Sequence, residues 1–336
     1  MVNTFRRDKE VLLTICVTTF NHARYIQPAM DSFLSQQTDF NFEILVHDDS
    51  STDGTTAILR QYEKDYPSTV HVYYEKENQW GKGTYKGGYN RGLLYPSARG
   101  RYIAVCEGDD CWIDPHKLQR QVDYLEMHPD VLFTCHAAKV VDGTSGNELS
   151  AMGMGNEEHD LTPPEIIRNW GVPTASWVFR KGALDGLDDV WSFDKPAGDF
   201  PTVLYASLRG TVHYFSEKMS LYRYQTPGSW TSSFANENKQ ISNAYRWLKM
   251  FESIDSLTNY KMHDDFVYAA RAYTKTLLAI EGNHADLNGL GLESMQSLPP
   301  VDRAKVWIKQ LLRKAGYVVV PMGFGKKARP HLRRLN

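Results

Sequence analysis

The sequence predicts an α/β fold, a mostly parallel, doubly wound sheet with a helical extension at its carboxyl end. Three observations lead there. Strand and helix patterns alternate four times before residue 110, joined by short links. The early strands are continuous apolar runs, as expected of strands covered on both faces. Polar loops rich in carboxylates follow those strands, at the edge where open parallel sheets place their ligands.

Val11–Val17 is the first such run, and Thr18-Thr19-Phe20-Asn21 ends it. Tyr25, Ile26, Ala29, Met30 and Phe33 then recur at helical spacing. Phe42–Val46 makes a second strand, and His47-Asp48-Asp49-Ser50-Ser51-Thr52-Asp53-Gly54-Thr55 opens a helix through Ala57, Ile58 and Tyr62. Val70–Tyr74 alternates as a third strand. A loop rich in Lys and Gly follows, including Lys82 and Lys86, then a helix from Asn90 to about Ser97, then the strand Arg101–Val105. Right-handed crossovers bring the loops after Val17, Val46 and Val105 to one edge. Lys117–Met127 is a patterned helix and Val131–Cys135 a strand, while 142–164 has no clear period and reads as a mobile loop. Thr174–Arg180 reads as a strand, Gly198–Arg209 as a helix, and 212–215 and 219–224 as two strands. From about Asn236 the pattern is helical.

Hydrophobic residues make up 42% of the 336 and charged ones 23%, an ordinary globular composition. No apolar run approaches a membrane span and the first residues lack a signal-peptide core, so the expected location is the cytosol. Cys16, Cys106, Cys111 and Cys135 lack metal-ligand spacing and read as buried thiols. The net charge of −2 hides an asymmetry, because from Asp302 onward ten Lys or Arg face one acid. Val306–Lys314 forms an amphipathic basic helix there, suited to an anionic membrane surface on the inner face of the cell membrane, or to packing on the chain itself or a second copy. Nucleic acid is not expected, since the body is acidic and aromatic interleaving is sparse.

Glu107, Asp109 and Asp110 gather where the fourth strand ends. Hard oxygen donors at such a place suit Mg²⁺ or Mn²⁺ carried by a phosphate-bearing substrate. The same residues also read as a solvated turn capping the next helix.

Three separated stretches resemble family 2 glycosyltransferases of the GT-A, Rossmann-like fold. They are Cys16–Asn21, Val46–Thr55, and Ala98–Asp110 continued by Trp112-Ile113-Asp114-Pro115, and Ala197-Gly198-Asp199 and Leu221-Tyr222-Arg223 join them. The resemblance covers about residues 10–230. It implies a catalytic domain over 1–230, with a nucleotide-binding half at about 10–138 and an acceptor half at about 139–230, followed by a helical region at 231–336 with a basic tail. It further implies inverting, metal-dependent transfer of a sugar from a nucleotide diphosphate, expected to be UDP, to a hydroxyl of a glycan or lipid-linked glycan. Thr18, Phe20, Asp49 and Asp109 are then expected to bind nucleotide, Asp110 a Mn²⁺ or Mg²⁺ ion, and Asp199 to act as general base. Glu107, Trp112, Lys82 and Arg223 are candidate donor or acceptor contacts. Helix capping competes as a reading of Asp49 and Asp199, core packing of Trp112, and solvated loop of Lys82. Two other functions stay open: an inactive carbohydrate-binding or scaffold protein of the same fold, and a sugar-phosphate nucleotidyltransferase.

Overall fold

A computed structural model describes residues 10–226, 236–281, 299–314, 317–322 and 329–334. The strands of its main sheet are β1 (Val11–Thr19), β2 (Asn41–Asp48), β3 (Val70–Tyr74), β4 (Tyr102–Glu107), β5 (Cys111–Trp112), β6 (Val131–Asp142), β7 (Glu148–Met152), β8 (His159–Leu161), β9 (Val178–Arg180) and β10 (Thr211–Tyr224). The helices are α1 (Ile26–Leu34), α2 (Thr55–Asp65), α3 (Tyr95–Ser97), α4 (Lys117–Met127), α5 (Pro163–Asn169), α6 (Leu187–Val190), α7 (Asp199–Arg209), α8 (Glu237–Leu257), α9 (His263–Glu281) and α10 (Pro300–Lys314). A π-turn at Asn90–Leu94 runs directly into α3. The sheet order is β3-β2-β1-β4-β9-β6-β10-β5, with β7 beside β6 and β8 beside β10. A separate hairpin joins β11 (Tyr317–Met322) to β12 (Arg329–Arg334).

The period of two along each strand divides the core. Leu13, Ile15 and Val17 of β1, Ile44 and Val46 of β2, and Ala104 and Cys106 of β4 face one side, against Ile26, Met30 and Phe33 of α1 and Leu118 and Val122 of α4. Cys16, Leu45, Ile103 and Val105 face the other, against Leu94, Tyr95, Phe179 and the helices that follow. Both faces are covered, which is why these strands read as unbroken apolar runs. β1 pairs in parallel with β2 and β4, setting Thr18 opposite both His47 and Glu107. The three polar loops therefore leave the sheet at one edge.

The second half departs from the sequence reading in four places, one of them the hairpin of β11 and β12 inside the region expected to be helical. Residues 142–164 contain β7 and β8, short edge strands whose polar residues mask their period. Residues 174–180 form a 3₁₀ turn and then the short β9, which runs antiparallel to both β4 and β6. The two strands expected at 212–215 and 219–224 are one strand, β10, whose register against β6 slips between Phe215 and Ser220. Those slips let one strand serve β6, β8 and β5 in turn.

The carboxyl-terminal helices share the core of the sheet. Phe200 of α7, fully buried, meets Trp247 and Phe251 of α8 with ring centroids 5.6 and 5.5 Å away. Val306 of α10, also fully buried, lies with Ala244, Leu277 and Leu278. Among the described residues no helix is long and apolar enough to cross a membrane. Because Phe200 joins α7 to α8, truncation leaves a cavity that several elements would have to collapse into. Phe200→Ala should destabilise the protein by about 3–5 kcal/mol, measured by urea unfolding followed by tryptophan fluorescence.

Candidate active site

The loops after β1 and β2 are tied together by their own polar side chains. Asn21, held at φ 55°, accepts from the Thr52 N–H at 2.8 Å and donates its own N–H to Ser51 Oγ at 2.9 Å. Asp48 accepts from the Ser51 N–H and from the Thr56 hydroxyl, and Asp53 accepts from the N–H groups of Ala23 and Thr55. Asp53 thus answers the first N–H of α2 while Asp48 ties the loop before it, and neither bond uses Asp49. Asp49 is 3% exposed, and its two oxygens accept from the Gln79 N–H and the Tyr89 hydroxyl, each at 2.7 Å. Burial and then the Asp49 carboxylate hold the Tyr89 phenol above its ordinary pKa. The Tyr89 ring stacks on His47 with centroids 4.1 Å apart. Phe20, 42% exposed, is an aromatic side chain open to solvent just after β1, whose Thr19 carbonyl accepts from the Asp49 N–H.

The acidic loop follows β4. Gly108 approaches β1 so closely that a Cβ there would lie 2.8 Å from Thr19 Oγ1, so a side chain at this point would push the loop off β1. Asp109 accepts from the Thr226 hydroxyl at 2.9 Å, with His22 Nε2 4.0 Å away. Asp110, 1% exposed, accepts from the Arg223 backbone N–H at 2.9 Å. The Arg223 guanidinium donates to the Asp109 carbonyl at 2.5 Å and lies 5.3 Å from the Tyr25 ring centroid. The antiparallel pairing of β5 with Ser220 and Leu221 of β10 sets this geometry, because it carries the end of β10 back across the loop.

Like charges accumulate here. Burial, then Asp109 and Glu107, hold the Asp110 carboxyl well above the usual carboxylate range, against the pull of Arg223. Solvent reaches Glu107 through the open cleft, yet enclosure by the surrounding protein, then Asp109 and Asp199, push its carboxyl up to about 8. Burial raises Asp199, opposed by the Phe200 N–H that donates to it at 2.8 Å in the first turn of α7. Tyr222 lies in the field of all four acids. Its phenol is raised well above the ordinary value by burial and then by Asp110, Glu107, Asp109 and Asp199. The structure therefore gathers Glu107, Asp109, Asp110, Asp199 and Arg223 into one cleft. Tyr222 belongs with them, although the sequence reading treated it only as the neighbour of Arg223.

Among the described residues no three His, Cys, Asp or Glu converge as a ready-made metal cage. One or two carboxylates with room for substrate oxygens are nonetheless the usual holding for Mg²⁺, and hard oxygen donors suit Mn²⁺ as well. The repelling pair Asp109 and Asp110 fits that description.

One predicted contact falls elsewhere. Trp112 is 4% exposed, its ring centroid 4.7 Å from Phe33 and its indole N–H donating to the Ala175 carbonyl at 2.8 Å. Pairing of β5 with β10 turns it inward, so it is a core residue and presents no face to a sugar. The fully buried Lys117 ammonium sits 4.2 Å from its ring centroid, and burial pushes that lysine down to about 7. Lys82 pairs with Glu77 at 3.0 Å, and both side chains are well exposed on the loop that carries Gln79. Trp177 and Trp191 are core, and Trp230 lies outside the described residues. A surface cavity of about 650 Å³ lined by Asp130, Asp160 and Arg209 opens at the amino ends of β6 and β10, the opposite edge of the sheet, and shares no residue with the acidic cleft.

Parallel strands ending in polar loops, with acids converging at their carboxyl edge, define a nucleotide-type α/β transferase fold. A sequence model of Glycosyl transferase family 2 matches residues 14–185, half of the chain. The chain belongs to this family, and its fold is the GT-A one. The protein Rv1520 of Mycobacterium tuberculosis is 30% identical over 233 residues, 68% of this chain. The UDP-Glc:alpha-D-GlcNAc-diphosphoundecaprenol beta-1,3-glucosyltransferase WfgD of Escherichia coli is 26% identical over 176 residues, 52% of this chain. The match spans 63% of the length of each of these relatives. The crystal structure of S. aureus TarS 1-349 in complex with UDP-GlcNAc superposes with a TM-score of 0.54 at 16% identity, covering 97% of this chain and all of that one.

Glu107 yields a pH test. An acid whose folded pKa, about 8, exceeds its ordinary 4.5 adds stability that is complete below the lower value and is lost as pH rises through the upper one. In metal-free buffer the thermal midpoint should fall slightly across that window, because the solvent that reaches Glu107 screens part of the effect, and Glu107→Gln should flatten the fall. Parallel profiles for the two proteins would show that the cleft does not strain this carboxyl.

Proposed function

We propose that the chain transfers a sugar from a UDP-sugar to a hydroxyl of a glycan or lipid-linked glycan, with inversion at C1 and with Mn²⁺ or Mg²⁺. The support is the convergence of four carboxylates, from the end of β4 and the start of α7, around Tyr222 at the carboxyl edge of a parallel sheet. Asp110, with Asp109, would hold the ion against the donor diphosphate, where it stabilises the charge on the departing group. Thr18, Phe20 and Asp49 would hold the nucleotide, Phe20 against the base and Asp49 through lone pairs left beside its two bonds. Asp109 reaches the ribose side of the donor.

Asp199 removes the proton of the acceptor hydroxyl as its oxygen attacks C1 from the face opposite the diphosphate. The bond from C1 to the diphosphate oxygen breaks, its electrons leave with the nucleoside diphosphate, and the configuration inverts. A positioned base of this kind contributes about 10²–10⁴-fold. A carboxyl raised above its ordinary value, as Asp199 is, is a stronger base for that step. Arg223 braces the acidic loop from behind, and Glu107 lines the cleft between Asp109 and Asp199.

The activity for which WfgD is named, with a UDP-glucose donor and a diphosphoundecaprenol-linked acceptor, supports a UDP-hexose or UDP-N-acetylhexosamine and a lipid-linked acceptor here. On that reading the protein works in the cytoplasm in surface polysaccharide synthesis, residues 1–230 acting as the catalytic unit and 231–336 as its buttress. The basic tail would rest peripherally on an anionic membrane; residues 315–316, 323–328 and 335–336 of it lie outside the described residues.

Slow Mn²⁺-dependent release of UDP from a UDP-sugar separates an enzyme from an inactive relative of the same fold. Asp199→Asn should bind donor as the wild type does and lose transfer by about 10²-fold or more, measured by single-turnover assay beside donor titration. Asp110→Ala should abolish metal-dependent donor binding, measured by calorimetry with and without Mn²⁺. In flotation with phosphatidylglycerol vesicles, truncation after residue 300 should release the protein, and undiminished flotation would end the membrane assignment.

A further inference from the structure

Arg91 stands apart from the groups discussed so far, yet it touches the element that carries Asp199. It lies in the π-turn Asn90–Leu94, a distortion of helix geometry that often marks functional positions. Its Nε donates to Asp188 Oδ2 at 2.7 Å and its Nη1 to Thr202 Oγ1 at 3.2 Å. The Thr202 hydroxyl in turn donates to the Gly198 carbonyl at 2.6 Å. Gly198 and Asp199 are the residues at which α7 begins, and the guanidinium lies 3.9 Å from where a Gly198 Cβ would stand. Arg91 and Asp188 have side chains only 16% and 17% exposed, so the pair is screened less than a surface pair.

The surroundings are shaped for this contact. Gly87 has φ +77°, and a Cβ there would fall 2.1 Å from Asp188 Oδ2 and 2.8 Å from Arg91 Nε. The glycine is required both by its backbone conformation and by the space the ion pair occupies. Lys195 Nζ approaches the other Asp188 oxygen at 3.6 Å. Two residues before Arg91, Tyr89 is bonded to Asp49. One short segment thus grips the base-side pocket with Tyr89 and the start of α7 with Arg91.

We propose that Arg91 is a positioning residue, forked between Asp188 and Thr202, that holds the first turn of α7 and with it the Asp199 carboxylate in register with the donor. The proposal rests on the reading of Asp199 as the base. A displacement of about 1 Å at a reacting group costs about 10²-fold in rate, so a side chain that touches no substrate still governs kcat. A guanidinium suits the task because its rigid fork presents separate donors to two partners, which an ammonium on a flexible stem does not.

The test uses the full chain, with UDP release from UDP-glucose and UDP-N-acetylglucosamine in Mn²⁺ as the readout. Arg91→Lys keeps the charge opposite Asp188 and loses the fork, and Thr202→Val removes the hydroxyl without changing volume. Each should lower kcat by about 10- to 100-fold while the donor KM changes by less than about twofold. Thr202→Ser, which restores the hydroxyl, should recover most of the loss. In an Asp199→Asn background Arg91→Lys should cost almost nothing more, because residues acting through one another are non-additive. Wild-type kcat in both single variants, a loss carried by KM, or the same fold loss in the Asp199→Asn background would each overturn the role of Arg91. If Asp199→Asn itself turns over at the wild-type rate, the base assignment falls and this role of Arg91 falls with it; a dead Asp199→Asn beside an unaffected Arg91→Lys isolates the failure to Arg91.

Discussion

Repulsion among carboxylates that the fold forces together is the constraint on which the rest of this molecule depends. Glu107, Asp109 and Asp110 sit within a single turn, and the sheet adds Asp199 from a distant part of the chain. Burial and then neighbouring acids hold Glu107 and Asp110 above the ordinary carboxylate range, which costs stability unless cations or hydrogen-bond donors answer them. The chain supplies only part of the answer, through the Arg223 N–H on Asp110, the Thr226 hydroxyl on Asp109 and the Phe200 N–H on Asp199. On the proposed function, the remainder of the negative field would be answered by a cation and by the donors of a bound substrate.

Holding acids in that arrangement requires a rigid frame, and the two-faced sheet supplies it. β1 is central, parallel to β2 and β4, with apolar side chains alternating between two cores. Loops leaving such strands have fixed origins, so their lengths and short polar ties decide where the side chains arrive. Asn21, Asp48 and Asp53 are ties of this sort. They consume the hydrogen-bonding capacity of the loop backbone and leave Asp49 to face Gln79 and Tyr89.

The second half of the chain brings the remaining acid to this frame. α7 is covered by Trp247 and Phe251 of α8, and Tyr273 of α9, stacked on Trp247, is raised in pKa by burial and then by Asp199. The carboxyl-terminal helices thus form the wall behind Asp199. Arg91 ties the opposite side of α7 to the segment before α3 through Asp188 and Thr202. The first turn of that helix is held from two directions, by apolar packing behind and by a forked cation in front.

Local chemistry made much of this visible in the sequence alone. The apolar runs of β1, β2 and β4, the helical spacing of Ile26, Ala29, Met30 and Phe33, and the acids at strand ends are short-range patterns, and each survives in the structure. What the tertiary structure alone decided are contacts between residues far apart in the chain. Trp112 reads as a sugar platform beside an acidic motif, yet the pairing of β5 with β10, more than a hundred residues later, buries it. The strands within 142–164 are stabilised by neighbours rather than by their own periodicity. Tyr89 and Arg91 carry no local signature, and Tyr222 is visible only as part of Leu221-Tyr222-Arg223, because their significance lies in the acids and the helix that the fold sets beside them. A side chain's type and spacing are inherited along the chain, while its partners and its exposure are properties of the packed molecule.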